Sequence, residues 1–374
     1  MPQLKESLGP TAQQRFRGCL LGGAVGDALG APVEFLPRAD ILQTFGLGGI
    51  THYAPAYGRE GAITDDTQMT LFTAEGLLRA WVRGQVRGIV SCVEVTARAY
   101  IRWLQTQGEP VPEALASSGE NDGWLLRQEV LHSRRAPGAT CLSALKDMKS
   151  LGMPADNDSK GCGGVMRVAP VGLFNWRRYQ GTSVQETFRL ASDLAALTHG
   201  HPTGALTAGV LAVVIQVLTD GKTLQRALQE AKNCLRRAAG HQETLAAIEN
   251  AEHLAAAELD HQSAISQLGQ GWVAEEALAV SIYCALVATD FSQGVILAVN
   301  HDGDSDSTGS ITGNLLGAML GDSSIPRDWL AALECRDVIQ ELADDLFGFP
   351  DWEIGGYGVS PDSESKTWEK YPGC

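Results

Sequence analysis

Apolar positions along this chain recur mostly three and four residues apart, the period of helices packed on one face, and seldom in the alternation of half-buried strands. Thr223 to Ala239 carries Leu224, Ala227, Leu228, Ala231 and Leu235 at that spacing with Lys and Arg opposite, which predicts an amphipathic surface helix. Thr244 to Leu259, Ala274 to Ala288 and Leu330 to Phe347 predict three more. Ala, Leu, Gln, Glu and Arg, all good helix formers, fill these segments. An all-α fold is expected.

Two segments break the ordinary composition of a helix. Arg17 to Leu29 is apolar but carries Gly18, Gly22, Gly26 and Gly30 at every fourth position, and Gly309, Gly313, Gly317 and Gly321 repeat the pattern late in the chain. Glycine costs a helix about 1 kcal/mol relative to alanine, so a stripe of it implies close backbone approach to a neighbour. Loop flexibility does not explain it, because apolar residues fill the gaps. The two segments are expected to pack together or on a common partner, bringing the chain ends to one site.

No linker or internal repeat divides the 374 residues, which predicts one compact unit. The segment from Gly348 to Cys374, with Pro350, Gly355, Gly356, Gly358, Pro361 and Pro372, reads as an irregular tail. Trp352, Tyr357 and Trp368 would dock it on the core or over a pocket. Hydrophobic residues make up 44% and charged ones 20%, enough for a substantial core. A formal net charge of −15 repels phosphate backbones and anionic bilayers, so neither nucleic acid nor membrane is an expected partner. The longest apolar run, Val210 to Leu218, is too short to span a bilayer. Eight scattered cysteines without Cys-x-x-Cys spacing or a secretory leader are read as reduced residues of a cytoplasmic protein.

The candidate chemistry lies at opposite ends of the chain. Ile63-Thr64-Asp65-Asp66-Thr67 and Asp302-Gly303-Asp304-Ser305-Asp306-Ser307-Thr308 each crowd carboxylates and hydroxyls ahead of an apolar helix. A cap needs one such residue, and the surplus like charge calls for a cation. Oxygen-only donors select Mg²⁺, Mn²⁺ or Ca²⁺. The two clusters are read as one divided metal site, able to hold two cations about 3.5 to 4 Å apart with a bridging water as nucleophile.

Weaker signals surround them. Glu34 follows the first glycine segment on a loop and could move a proton or gate access, while Asp27 within that segment reads as a structural hydrogen-bonding acid or a catalyst. Ser159-Lys160-Gly161-Cys162-Gly163-Gly164-Val165-Met166-Arg167 is a structural turn or a phosphate cradle, without the P-loop ending. His199 and His201, lacking a Cys or third His nearby, read as a pocket wall rather than a zinc site. Cys162 reads as packing.

Together these segments resemble the ADP-ribosylglycohydrolase family, which includes dinitrogenase reductase-activating glycohydrolases and ADP-ribosylarginine hydrolases. The match is colinear over about residues 15 to 348, carried by Gly18 to Gly30, Ile63 to Thr67, Cys162 to Arg167, Thr198 to Pro202 and Gly303 to Gly309. It implies an all-α, compact single-domain orthogonal helical bundle over 15–348, an extension at 1–14 and the tail at 349–374. It also implies two Mg²⁺ or Mn²⁺ held by Thr64, Asp65, Asp66, Asp304, Asp306 and Ser307, with Glu34, Asp66 and Asp304 in catalysis. Ser159, Gly161, Cys162, Gly163, Gly164, Met166, Arg167 and His199 would line the ADP-ribose pocket. The activity implied is hydrolysis of ADP-ribose from protein side chains, arginine first, with serine or another acceptor as alternatives. Some members are immunity proteins against ADP-ribosylating toxins, and there the extension can block the toxin. Asp302 stands where the family more often has glycine or serine, an added carboxylate expected to alter metal affinity.

Overall fold

Many of the long helices start at a capping side chain, among them those that begin after Thr11, Thr64, Ser91, Ser183, Thr223 and Asp304. The computed structural model describes residues 9–116, 123–178, 183–354 and 361–373. Residues 1–8 of the extension and Gly355, Gly356, Tyr357 and Gly358 of the tail lie outside them. Among the described residues the chain forms α1 (Ala12–Gly30), α2 (Arg38–Phe45), α3 (Asp65–Arg87), α4 (Cys92–Thr106), α5 (Ala139–Lys146) and α6 (Ala169–Arg178). It continues through α7 (Val184–Ala196), α8 (Pro202–Thr219), α9 (Leu224–Leu235), α10 (Gln242–Ala255), α11 (His261–Leu268) and α12 (Ala274–Val287). The last are α13 (Phe291–Val299), α14 (Ser305–Leu320), α15 (Arg327–Ala332), α16 (Arg336–Gly348) and α17 (Pro361–Lys370). No sheet forms among the described residues; the isolated bridges Ala56–Arg59 and Gly161–Val273 are the β pairing present. This is an all-α, compact helical bundle.

The glycine stripes explain how the bundle is registered. α1 and α14 lie backbone against backbone: a Cβ on Gly22 would meet Gly313 O at 2.4 Å, one on Gly26 would meet Gly309 O at 1.9 Å, and one on Gly30 would meet Ser305 O at 2.3 Å. The pairing runs antiparallel, so the end of α1 meets the start of α14. Asn314 Nδ2 donates to Cys19 O at 2.8 Å and fixes the register further. α3 joins the same point because Asp27, fully buried in α1, accepts from Thr64 N at 3.0 Å, from Thr67 N at 3.1 Å and from the Thr67 hydroxyl. Three helix ends therefore converge where the two acid clusters begin.

Several expectations need correction. The segment Leu330 to Phe347 is two helices, α15 and α16, because the chain breaks at Leu333 and Cys335 takes a left-handed conformation with φ of 57°. The tail is not wholly irregular: α17 is helical, and Tyr371 after it is buried, its hydroxyl donating to Asp345 at 2.5 Å. Val210 to Leu218 belongs to the 18-residue α8, which by length and composition could cross a bilayer, yet 89% of it is buried within the protein. It is the central helix of the core, flanked by α6, α7, α9 and α12. The seven described cysteines are free.

A methyl group has no room at the α1–α14 contact: a Cβ on Gly313 would lie 2.0 Å from Gly22 O. Gly313→Ala is expected to destabilise the fold by about 1–3 kcal/mol, the usual cost of overpacking, read as a lower urea midpoint at unchanged slope. An unchanged midpoint would show that the helices are free to separate.

Candidate metal centre

The acids sit at helix starts for the reason the sequence suggests. Thr64 caps α3, its hydroxyl accepting from Asp66 N at 3.3 Å, and Asp304 caps α14, accepting from Ser307 N at 3.3 Å. The positive ends of both helix dipoles thus face the carboxylates. Asp65, Asp66, Asp304 and Asp306 are buried, as are Thr64, Ser307 and Glu34. Glu34 lies on the turn that leaves α1.

These residues share one cavity of about 220 Å³, whose wall includes Glu34, Asp65, Asp66, Asp304, Asp306 and Ser307. Gly161, Cys162, Gly163, Met166 and His199 complete another side. Among the described residues no Lys or Arg lines it. Like charge in a dry site must be neutralised, and without a cation protons do it. Burial, then Asp306, Asp304, Asp65 and Asp27, push Glu34 up to about 11. Burial and Asp306 raise Asp27 to about 7, and the same two causes hold Asp65, Asp66 and Asp304 well above the usual carboxylate range.

A hard divalent cation fits this donor set. Asp66 Oδ1 and Glu34 Oε2 are buried without a hydrogen-bond partner, so oxygen lone pairs face the cavity unspent. The carboxylates are gathered but not closed: among the described residues no three His, Cys, Asp or Glu side chains are converged to coordination distance. Thr64 is not part of the cavity wall; its hydroxyl is occupied at the α3 cap.

The glycine-rich turn departs further from expectation. Its basic residues face away: Lys160 pairs with Glu275 and with Glu243 at 3.0 Å, and Arg167 is buried under Tyr100, donating to Thr198 Oγ1 at 2.8 Å and Leu194 O at 3.1 Å. Arg167, Ser159 and Gly164 are absent from the cavity wall; Ser159 Oγ lies 3.1 Å from Thr140 Oγ1. Arg167 instead sets the wall, since Thr198 Oγ1 lies 2.8 Å from His199 Nδ1. Burial first and Arg167 second lower His199 to about 3, so its ring is neutral. Cys162 packs against the core as expected and also lines the cavity: its thiol donates to Asp304 Oδ2 at 2.8 Å, and burial with Asp304 and Asp66 keeps it protonated. Asp302 is exposed on the outer side, where it accepts from Arg38 N at 2.7 Å and caps α2 rather than joining the cavity.

Sequence reading missed an aromatic rim. Trp272 lines the cavity and stacks on Phe35, the residue after Glu34, with ring centroids 5.9 Å apart and planes at 15°; both rings are exposed. The Trp272 loop is seated by Asp304 N donating to Gln270 O at 2.8 Å and Ala274 N to Lys160 O at 2.8 Å. Gly303 permits that seat, since a Cβ there would meet Gln270 O at 1.9 Å. The glycine-flanked Trp272 was the signal available.

Comparison with known proteins then decides the family. The family model described as ADP-ribosylglycohydrolase matches residues 8–353. The chain belongs to the ADP-ribosylglycohydrolase family. A protein of Archaeoglobus fulgidus is 30% identical over 343 residues, 90% of this chain and 96% of that one. ADP-ribosyl-[dinitrogen reductase] glycohydrolase of Rhodospirillum rubrum is 25% identical, covering 88% of this chain and 93% of its own length. ADP-ribosylarginine hydrolase Tri1 of Serratia proteamaculans is 24% identical over 89% of this chain and 79% of its own. A solved structure titled ADP-ribosylglycohydrolase-related protein complex superposes with a TM-score of 0.63 at 27% identity, over 90% of this chain and 98% of that one. Membership supports a hydrolytic activity of the ADP-ribosylglycohydrolase type.

The raised carboxyls have a measurable consequence without metal. An acid whose folded pKa exceeds its unfolded value stabilises the fold less as pH climbs between the two, whereas His199 and His301, lowered to about 3 and about 4, cost stability only below their ordinary value of 6.5. Between about pH 7 and pH 8, above the histidine range and below the ordinary range of the buried thiols, whose own pKa values are also raised, the acids set the slope. The melting temperature of EDTA-treated protein is expected to fall from about pH 7 to about pH 8, with Mg²⁺ raising and flattening it. A flat profile in EDTA would contradict the acid cluster as described.

Proposed function

We propose that this chain is a metal-dependent hydrolase that releases ADP-ribose from modified protein side chains, with arginine as the acceptor. The observation that carries the reading is the cavity itself: five buried carboxyls from three chain segments, two unpaired carboxyl oxygens and, among the described residues, no Lys or Arg in the wall. Asp65, Asp66, Asp304, Asp306 and the Ser307 hydroxyl would hold two Mg²⁺ or Mn²⁺, with Thr64 behind them at the α3 cap. When bound, the ions supply Lewis acidity toward ribose hydroxyls and toward water. Family membership supports a metal dependence of this general kind.

The protein's own groups do the rest. The Gly161 to Gly163 turn and the neutral His199 would form the wall on the diphosphate side of the substrate; Gly161 N and Cys162 N are already engaged, donating to Ser159 Oγ and Trp272 O, so these groups shape the wall without competing for the cations. Asp304, held by the Cys162 thiol and by Ser307 N, would orient the attacking water. The water oxygen would bond to the anomeric carbon as the bond to the side-chain nitrogen breaks; the water gives up one proton, to the Asp304 carboxylate, and the departing guanidine takes up one. Glu34, a buried carboxyl on the same wall with Oε2 unpartnered, is placed to deliver the guanidine's proton.

The exposed Trp272–Phe35 stack beside these acids favours a cationic acceptor, since an arginine guanidinium gains from an aromatic face. Serine-linked ADP-ribose would not use that face, and makes the second reading. A role against an ADP-ribosyltransferase toxin, by hydrolysis or by steric block from residues 1–14, is a further partner hypothesis that rests on family membership alone.

The test is release of free ADP-ribose from arginine-linked and serine-linked peptides with Mg²⁺ or EDTA. Arginine-linked substrate is expected to be cleaved only with metal, and Asp304→Asn to lose more than about a hundredfold in kcat while remaining folded. Release in EDTA, or half the activity kept by the variant, would overturn the proposal. Trp272→Ala is expected to raise KM for the arginine-linked peptide about fivefold, the equivalent of a ~1 kcal/mol cation–π contact, with kcat nearly unchanged. An unaltered KM would remove the argument for arginine.

A further inference from the structure

The strand of chain that enters α3 is gripped from two distant segments. Arg135 Nη2 donates to Glu334 Oε1 at 3.1 Å and its Nη1 to Glu334 Oε2 at 3.3 Å, a buried two-pronged ion pair. Both partners then hold the same backbone: Ile63 N donates to Glu334 Oε2 at 3.1 Å, and Arg135 Nη1 to Ile63 O at 3.4 Å. Glu334 N donates to Gly61 O at 2.9 Å, where a Cβ would meet Ala332 O at 2.4 Å. Arg135 O accepts from Asp65 N at 3.1 Å, and three residues on Gly138 N donates to Asp65 Oδ2 at 3.2 Å.

Strain gathers at this clamp. Among the described residues the non-glycine positions with left-handed φ are Tyr57 at 50°, Ala136 at 49° and Cys335 at 57°. Ala136 follows Arg135 and lines the cavity, Cys335 follows Glu334, and the Tyr57 ring lies 5.1 Å from the Arg135 guanidinium. Each such residue costs about 1–3 kcal/mol and persists where its surroundings over-determine it. A buried ion pair adds little stability over an apolar pair of similar volume. Stability alone therefore does not account for so much strain around one ion pair, whereas holding a backbone in one place does.

We propose that Arg135 and Glu334 are positioning residues for the acid centre: their ion pair fixes Ile63 to Asp65 and thereby aims Asp65 and Asp66 into the cavity. The inference rests on the metal-centre reading above. Removing Arg135 separates two roles by sign. If its charge merely opposed the carboxylates, a neutral residue would tighten cation binding; if it positions them, binding weakens.

The experiment measures Mn²⁺ dissociation constants by loss of the free-ion EPR signal, for the parent, Arg135→Lys, Arg135→Met and Glu75→Gln. Glu75 forms an equally buried pair with Arg102 at 2.8 Å on the far flank of α3, so it controls for general loss of stability. All are measured well below their melting temperatures, and amide exchange over 62–68 is followed in parallel. The expected result is about tenfold or greater weakening in both Arg135 variants with faster exchange over 62–68, and no more than about twofold change in Glu75→Gln. If Arg135→Met does not fold, Arg135→Lys, which keeps the charge and loses the fork, decides. Unchanged or tighter Mn²⁺ binding, or equal weakening in Glu75→Gln, would overturn the proposal. A parent that binds no Mn²⁺ overturns the metal-centre reading instead. Exchange then decides the clamp: faster in the Arg135 variants alone supports it, unchanged refutes it.

Discussion

The bare contact of α1 on α14 is the constraint from which the rest follows. Two helices can approach to backbone distance only where neither presents a side chain, and Gly22, Gly26 and Gly30 against Gly313, Gly309 and Ser305 give one register in which they mesh. A one-residue slip would drive a side chain into a carbonyl. The register places the end of α1 at the start of α14, so Asp27 and Asp306 become neighbours although 279 positions separate 27 from 306 in the numbering. Asp27 then recruits α3 through Thr64 and Thr67, and both acid clusters arrive at one cavity. Packing comes first and chemistry inherits its geometry.

That geometry stores electrostatic free energy. Buried carboxyls facing one another hold protons they would lose in water, and the helix dipoles behind α3 and α14 offset only part of the repulsion. Among the described residues no Lys or Arg lines the cavity and His199 is neutral, which leaves the deficit for something outside the chain to fill. Nearby cations are all turned to structural tasks: Lys160 to Glu275, Arg167 to Thr198 and Arg135 to Glu334. The same arrangement would make the proposed site favour hard cations over anything neutral.

Much of this was legible in the sequence because it was written locally. Helical periodicity, the glycine stripes and the paired acid runs each announce themselves within a dozen residues, and the all-α fold, the family and the convergence of chain ends follow from them. What escaped depends on contacts between distant residues. Nothing near Glu334 says that a helix breaks there so that its carboxylate can meet Arg135 and Ile63. Arg167 and Lys160 sit in a turn that looks suited to phosphate, yet Tyr100 and Glu275 claim them from other helices. Asp302 adjoins the acid motif but points to the start of α2, and Cys162 is a cavity residue only because Asp304 lies opposite. Trp272 and Phe35 are likewise far apart in the chain and stack only in the folded protein, where Gly303 lies close against Gln270 in the Trp272 loop.

The account stands on one idea, that aspartates from the beginning and the end of the chain share divalent ions in the cavity beneath Trp272. Anomalous diffraction from crystals grown with MnCl₂, collected at the manganese edge, addresses it directly. The account expects anomalous peaks between the carboxylates of Asp65 and Asp66 and those of Asp304 and Asp306. A cavity without such a peak, or manganese bound only elsewhere on the protein, would contradict it.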